Sequence, residues 1–273
     1  MSEKQYPSLK EIYALHAPKV EYDRYLFAGR FIFRPPSFPA IWLLVRLGVS
    51  SETASWFSGA AALSAYIFLL WPGPRFLWPG ILLLMAFNFF DCLDGGIARA
   101  MRTRNPYGRF LDSIMSWADM LFWMVIGVTV WRLPEMRSIG DSFGVPAGVW
   151  LAAGAFCAFL ASYAAYLESV FDLVLREYWE KLLSREGIST APTPIAGKAP
   201  PEVMARVLVH NLRVRETHYL LLALACAFGH ADALITFFLL FNAALVSALL
   251  FTYCRRGRKI YDAGLGRERP DHD

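Results

Sequence analysis

The chain has 273 residues, 56% of them hydrophobic, 15% aromatic and only 18% charged, with a net charge of +4 at pH 7. A soluble domain rarely combines these values, so the composition excludes an ordinary globular enzyme and points to a polytopic membrane protein. No nucleic-acid partner is expected.

In chain order, the first thirty or so residues carry Glu3, Lys4, Lys10, Glu11, Lys19, Glu21, Asp23 and Arg24 without a continuous apolar stretch. No secretory signal is therefore expected, and the amino terminus is placed in the cytoplasm. From Tyr6 to Arg34 aromatics alternate with Lys and Arg, the pattern of an amphipathic helix lying on the inner membrane surface. A bilayer core of about 30 Å requires roughly 20 helical residues. Six stretches answer to that length: Ala54 to Trp71, Phe76 through Phe90 and beyond, Ser113 to Trp131, Val145 to Leu167, a span ending near Gly229, and Ala233 to Cys254. The last two form a hairpin turning at His230 to Asp232. Between the fourth and fifth spans, Ser184 to Glu202 contains Pro192, Pro194, Pro200 and Pro201 and is expected to be an irregular linker. The four cysteines, Cys92, Cys157, Cys226 and Cys254, lie in or beside apolar stretches without metal-ligand spacing, so neither disulfides nor a zinc site is expected.

The expected class is thus all-α, with residues 1–50 an amphipathic cytoplasmic segment, 51–254 a six-helix transmembrane domain and 255–273 a basic cytoplasmic tail. Loop charges test this topology independently. With the amino terminus inside, the inner segments hold 7, 4, 7 and 6 lysines and arginines and the outer loops hold 3, accounting for all 27. Both termini are therefore expected in the cytoplasm. Attraction to anionic headgroups explains most of the basic clusters without catalysis.

Where the second span meets the cytoplasm the sequence runs Asp91-Cys92-Leu93-Asp94-Gly95-Gly96-Ile97-Ala98-Arg99. On a helix Asp91, Asp94, Gly95 and Ala98 share one stripe. After Asn105 and Pro106, Gly108, Asp112, Ser116 and Asp119 follow at helical spacing on one side of the third span. Clustered acids at a membrane boundary are costly to desolvate unless a cation joins them, and hard oxygen ligands favour Mg²⁺ or Mn²⁺. The small residues either admit a substrate to the helix backbones or allow tight helix packing.

These residues resemble the signature of the CDP-alcohol phosphotransferases, D-x-x-D-G-x-x-A-R, eight residues, then G-x-x-x-D-x-x-x-D. The match runs from Asp91 through Gly95, Ala98, Arg99 and Gly108 to Asp112. More weakly, the surface helix, the Arg46-Leu47-Gly48-Val49 approach to the first span and the six-span topology also resemble that family. The resemblance implies a homodimer among membrane lipids, with its active site cytoplasmic. It also implies transfer of a substituted phosphate from a CDP-alcohol donor to an alcohol acceptor, a lipid or a phosphorylated compound, releasing CMP. It implies Asp91, Asp94 and Asp112 as metal ligands, with Gly95, Ala98, Arg99 and Gly108 around the nucleotide. At the last position the family has a fourth aspartate, thought to share in metal binding and to act as general base, and this chain has Ser116. A serine hydroxyl cannot accept a proton at neutral pH as a carboxylate does. Asp119, about 4.5 Å further along a helix, is the base or a relay, or it is a purely structural polar residue, or the activity is lost or altered.

A fifth span long enough to cross has to extend back to about Val209, which puts Asn211, Arg215 and His218 on one stripe at membrane depth. They form either an anion-binding pocket for the acceptor or lipid phosphate, or an ordinary basic turn at the membrane edge. The competing functional reading is a degenerate member that binds CDP-alcohol or lipid without turnover. A cation transporter fits poorly, because the acids gather at one face and no repeated halves are visible.

Overall fold

A computed structural model describes residues 6–22, 25–103, 105–186 and 201–265. Among the described residues there are helices and no strands. Helix α1 spans Leu9–Tyr22, α2 Arg34–Arg46, α3 Ser51–Leu70, α4 Leu77–Ala100, α5 Pro106–Met115, α6 Ala118–Arg132, α7 Ser138–Ser142, α8 Gly148–Val174, α9 Arg176–Arg185, α10 Pro201–Arg213, α11 Arg215–Ala227 and α12 Ala231–Asp262. Among the described residues five stretches are long and apolar enough to cross a membrane: α3, α4 with the turn before it, α5 with α6, α8, and α12.

Local chemistry sets several of these ends. Ser50 caps α3, its side chain accepting the Thr53 N–H. Gly48, Gly73 and Gly229 stand at positive φ in the turns before α3, before α4 and before α12, where a β-carbon is disfavoured. Pro201, assigned from the sequence to the linker, opens α10 instead, a position that needs no N–H from it. Ser184 and Arg185 end α9, and residues 187–200 of that linker, with Pro192, Pro194 and Pro200, lie outside the described residues, as do Glu3, Lys4, Asp23, Arg24 and residues 266–273 of the tail.

The core joins α3, α4, α6, α8, α11 and α12 around Phe87, Phe122, Trp123, Tyr219 and Phe238, all buried. Helices α6 and α8 approach backbone to backbone: a β-carbon on Gly154 would lie 2.6 Å from the Gly127 Cα. This is how small residues bring helices together where lipid offers no hydrophobic drive. A second cluster packs Ile12 of α1 and Phe38, Ile41 and Val45 of α2 on Leu93 and Ile97 of α4. The amino-terminal helices are thereby fixed over the acidic end of α4.

Three sequence expectations change in detail. The segment from Tyr6 to Arg34 is α1 followed by a π-helical turn, Gly29–Phe33, that runs straight into α2. The third span bends at Ser116 and Trp117, where the N–H groups of Trp117, Asp119 and Met120 bond carbonyls three residues back instead of four. The expected fifth span is divided at Val214, whose backbone is extended (φ −93°, ψ 139°), into two helices of 13 residues each. Asn211 and His218 consequently do not share a stripe with Arg215.

Candidate metal and nucleotide site

The acids meet because α4 ends in a turn that folds α5 back alongside it. Thr103 N–H reaches the Ala98 carbonyl (3.0 Å), and Arg102 takes positive φ (55°), the left-handed ending common at helix C-termini. Asn105 then caps α5, its side chain accepting the Gly108 N–H at 2.7 Å, with Pro106 in the first turn. As a result, carboxylate oxygens of Asp91, Asp94 and Asp112 lie within 4.8 Å of one another.

The three acids have different surroundings. Asp94 is buried, and its oxygens take the Ser55 hydroxyl of α3 (2.6 Å) and the Gly95 N–H. Asp112 is exposed, and Asp91 is half-buried and ion-paired with Arg215. Among the described residues neither Asp94 nor Asp112 has a salt-bridge partner. One oxygen from each of three converging carboxylates, one of them aimed by a buried hydroxyl, is a donor set suited to Mg²⁺ or Mn²⁺.

Two cavities share this acidic wall. One, about 430 Å³, is lined by Asp94, Gly95, Ala98, Arg99, Gly108 and Asp112, all singled out in the sequence, together with Ser51, Glu52, Ser55, Thr103, Asn105 and Arg109. The other, about 340 Å³, shares Asp94 and Asp112 with it and adds Asp91, Leu26, Gly29, Arg34, Cys92 and Glu216. At Gly95 a β-carbon would come 3.3 Å from the Arg99 guanidinium, so the glycine keeps that arginine close to the α4 backbone.

Behind Asp91 lies a closed polar network. Arg215 pairs with Asp91, donates to Asn88 Oδ1 (3.1 Å), and approaches Ser116 Oγ (3.4 Å) and Asp119 Oδ2 (3.5 Å). Its guanidinium also lies over the Phe87 ring, 4.8 Å from the centroid. The Tyr219 hydroxyl donates to the other Asp119 oxygen at 3.2 Å. Ser116 donates its own hydrogen to the Asp112 carbonyl at 3.2 Å.

The remaining two residues of the expected pocket go elsewhere. Asn211 accepts the Phe27 N–H (3.0 Å) and donates to the Tyr25 carbonyl (2.6 Å), tying α10 to the amino-terminal segment. The His218 ring bonds the Leu212 carbonyl at 2.8 Å, a group exposed by the break at Val214, and sits among Phe122, Trp123 and Phe238.

Sequence reasoning missed Ser55, Asn88, Tyr219, Glu52, Arg34 and Glu216. A signal existed for Ser55: Ser51, Ser55, Ser58 and Gly59 make a small, polar stripe on an otherwise apolar helix. The others depend on contacts between distant segments.

Comparison with known proteins gives a family likeness over part of the chain. Residues 52–170 match the family model for CDP-alcohol phosphatidyltransferase, a stretch that contains the whole acidic motif. Over these residues the chain is similar to that family. Over 77 residues it is 34% identical to a phosphatidylinositol phosphate synthase of Streptomyces avermitilis, a match covering 28% of this chain and 31% of that protein. The chain thus spans about a third of the length of the curated relative it matches.

Proposed function

We propose that this chain is an integral membrane enzyme that transfers a substituted phosphate from a CDP-alcohol to an acceptor alcohol in phospholipid biosynthesis, using Mg²⁺ or Mn²⁺. The observation that carries the reading is the convergence of Asp91, Asp94 and Asp112 within 4.8 Å on two helices that share a cavity wall. Asp91, Asp94 and Asp112 hold the divalent cation, which supplies positive charge to the diphosphate as negative charge develops on it. In the larger cavity Gly95, Ala98 and Gly108 leave the helix backbones open to the nucleotide, and Arg99 faces its phosphates.

The acceptor enters from the adjoining cavity. Its hydroxyl oxygen bonds to the phosphorus attached to the donor alcohol, and the phosphorus–oxygen bond to CMP breaks, its electron pair leaving with CMP. The proton has to go to a carboxylate. Ser116 already donates to the Asp112 carbonyl, whereas Asp119 accepts one bond on each oxygen and retains lone pairs. Asp119 therefore serves as base or relay, through water.

The loop charges support cytoplasmic termini and a cytoplasmic site, and the family likeness supports a homodimer among membrane lipids. The relative's name supports a phosphorylated acceptor, with a lipid alcohol as the other candidate. A second reading, binding of CDP-alcohol without turnover, is favoured by Ser116 and by the engagement of Asp119 with Arg215 and Tyr219.

The deciding experiment gives the purified full chain Mn²⁺ or Mg²⁺, a panel of CDP-alcohols and a panel of acceptors, and measures CMP. The enzymatic reading expects CMP release that stops on chelation. Saturable nucleotide binding with no CMP from any pair establishes the binding-only reading in its place.

A further inference from the structure

We infer that the site takes a single divalent cation, because Arg215 and Ser116 fill the place and supply the charge of a second. The inference rests on the metal-dependent reading above and concerns how many ions that chemistry involves.

Arg215 begins α11 directly after the extended Val214, and this break turns its side chain into the gap between α4 and the α5–α6 bend. A second ion beside Asp91 would need further oxygens on that side of the acid. The groups there are Asn88, Ser116 and Asp119, and each already meets the Arg215 guanidinium. Asp119 is further committed to Tyr219 through its other oxygen. Arginine does not lose its proton in a protein, so the charge beside Asp91 is permanent. A divalent ion there would face that charge in a partly buried place, where screening by solvent is weak.

Residue 116 completes the argument. A carboxylate at this position would put an acidic oxygen next to the guanidinium that pairs with Asp91. The serine contributes a neutral oxygen that Arg215 approaches at 3.4 Å. Position 116 thus offers a neutral oxygen beside a permanent positive charge.

The test is a count of Mn²⁺ at equilibrium dialysis on the detergent-solubilised full chain, alone and with CMP, together with its electron paramagnetic resonance spectrum. One Mn²⁺ per chain with the six-line pattern of an isolated ion is expected. Two ions with an exchange-coupled spectrum overturn the inference and leave the metal-dependent reading standing. No bound ion at millimolar Mn²⁺ sinks both. The paired substitution Arg215→Gln with Ser116→Asp is expected to raise the count to two, whereas Arg215→Lys, which keeps the charge, stays at one. A paired variant that still holds one ion overturns the roles given to Arg215 and Ser116, and if that variant does not fold, the count on the unaltered chain decides.

Discussion

Helix α4 presents acids to two regions that differ in how their charge is met. On one side Asp94, together with Asp112 of α5, lines the larger cavity; Asp94 takes a hydroxyl and a backbone N–H, and neither acid has a salt-bridge partner among the described residues. On the other, Asp91 is answered within the fold by Arg215, which also ties down Asn88, Ser116 and Asp119. A buried or half-buried carboxylate is costly without a partner. On the proposed reading the Arg215 side, the closed one, is balanced within the fold, and a cation from solution would balance the other, open side.

Substitutions on the open side break this contrast most sharply. Asp94→Asn and Asp112→Asn remove a ligand oxygen's charge with almost no change in shape, and each is expected to lower CMP release by on the order of a thousandfold. The unaltered chain treated with chelator should match them, and restored Mn²⁺ should rescue only the unaltered chain. Retention of a tenth or more of the activity in either variant would move the metal away from this cluster.

Asp119 lies in the closed region and yet is the carboxylate proposed to take the acceptor's proton. Asp119→Asn keeps the oxygen and nitrogen positions but not the basicity, so kcat should fall about a hundredfold or more with nucleotide affinity nearly unchanged. An equal loss in nucleotide binding would instead mean that the Arg215 network had collapsed and had disturbed Asp91.

A smaller effect is expected where the scaffold touches the open side. Ser55 holds the Asp94 carboxylate from α3 at 2.6 Å. Groups that orient metal ligands typically matter by about 10–100-fold in metal affinity. Ser55→Ala should therefore raise the Mn²⁺ concentration needed for half-maximal CMP release by at least about tenfold, with turnover at saturating Mn²⁺ largely preserved. Lost turnover at saturation would show that Ser55 touches the substrate.

The open region was largely legible in the sequence and the closed one was not, for a physical reason. Asp91, Asp94, Gly95 and Ala98 are neighbours on one continuous helix, so spacing alone puts them on a face. Asp112 follows after a turn announced by Asn105 and Pro106. The spans α3, α4, α8 and α12 are equally plain, since length and apolarity define them. The bends at Ser116 and Val214 carry no proline or glycine, the usual punctuation, and are held by tertiary bonds instead. Once the helix breaks at Val214, a stripe drawn through Asn211, Arg215 and His218 no longer describes a surface. Arg215 reaches 127 positions back to Asn88, and no local pattern encodes that contact.

His218 gives the weakest effect and the cleanest control. A histidine at membrane depth near an arginine invites a role as proton carrier, and the sequence stripe put it beside the acceptor. Its ring nitrogen instead closes the Leu212 carbonyl left open by the helix break, and aromatic rings of α6 and α12 surround it. His218→Leu keeps much of the packing but leaves that carbonyl unsatisfied, a loss of about 1–3 kcal/mol. The thermal transition in detergent should fall accordingly, while kcat, its pH profile and Mn²⁺ affinity stay as they were at temperatures where the variant is folded. A change in the pH profile would bring His218 back into the proton path and join the two regions that the geometry keeps apart.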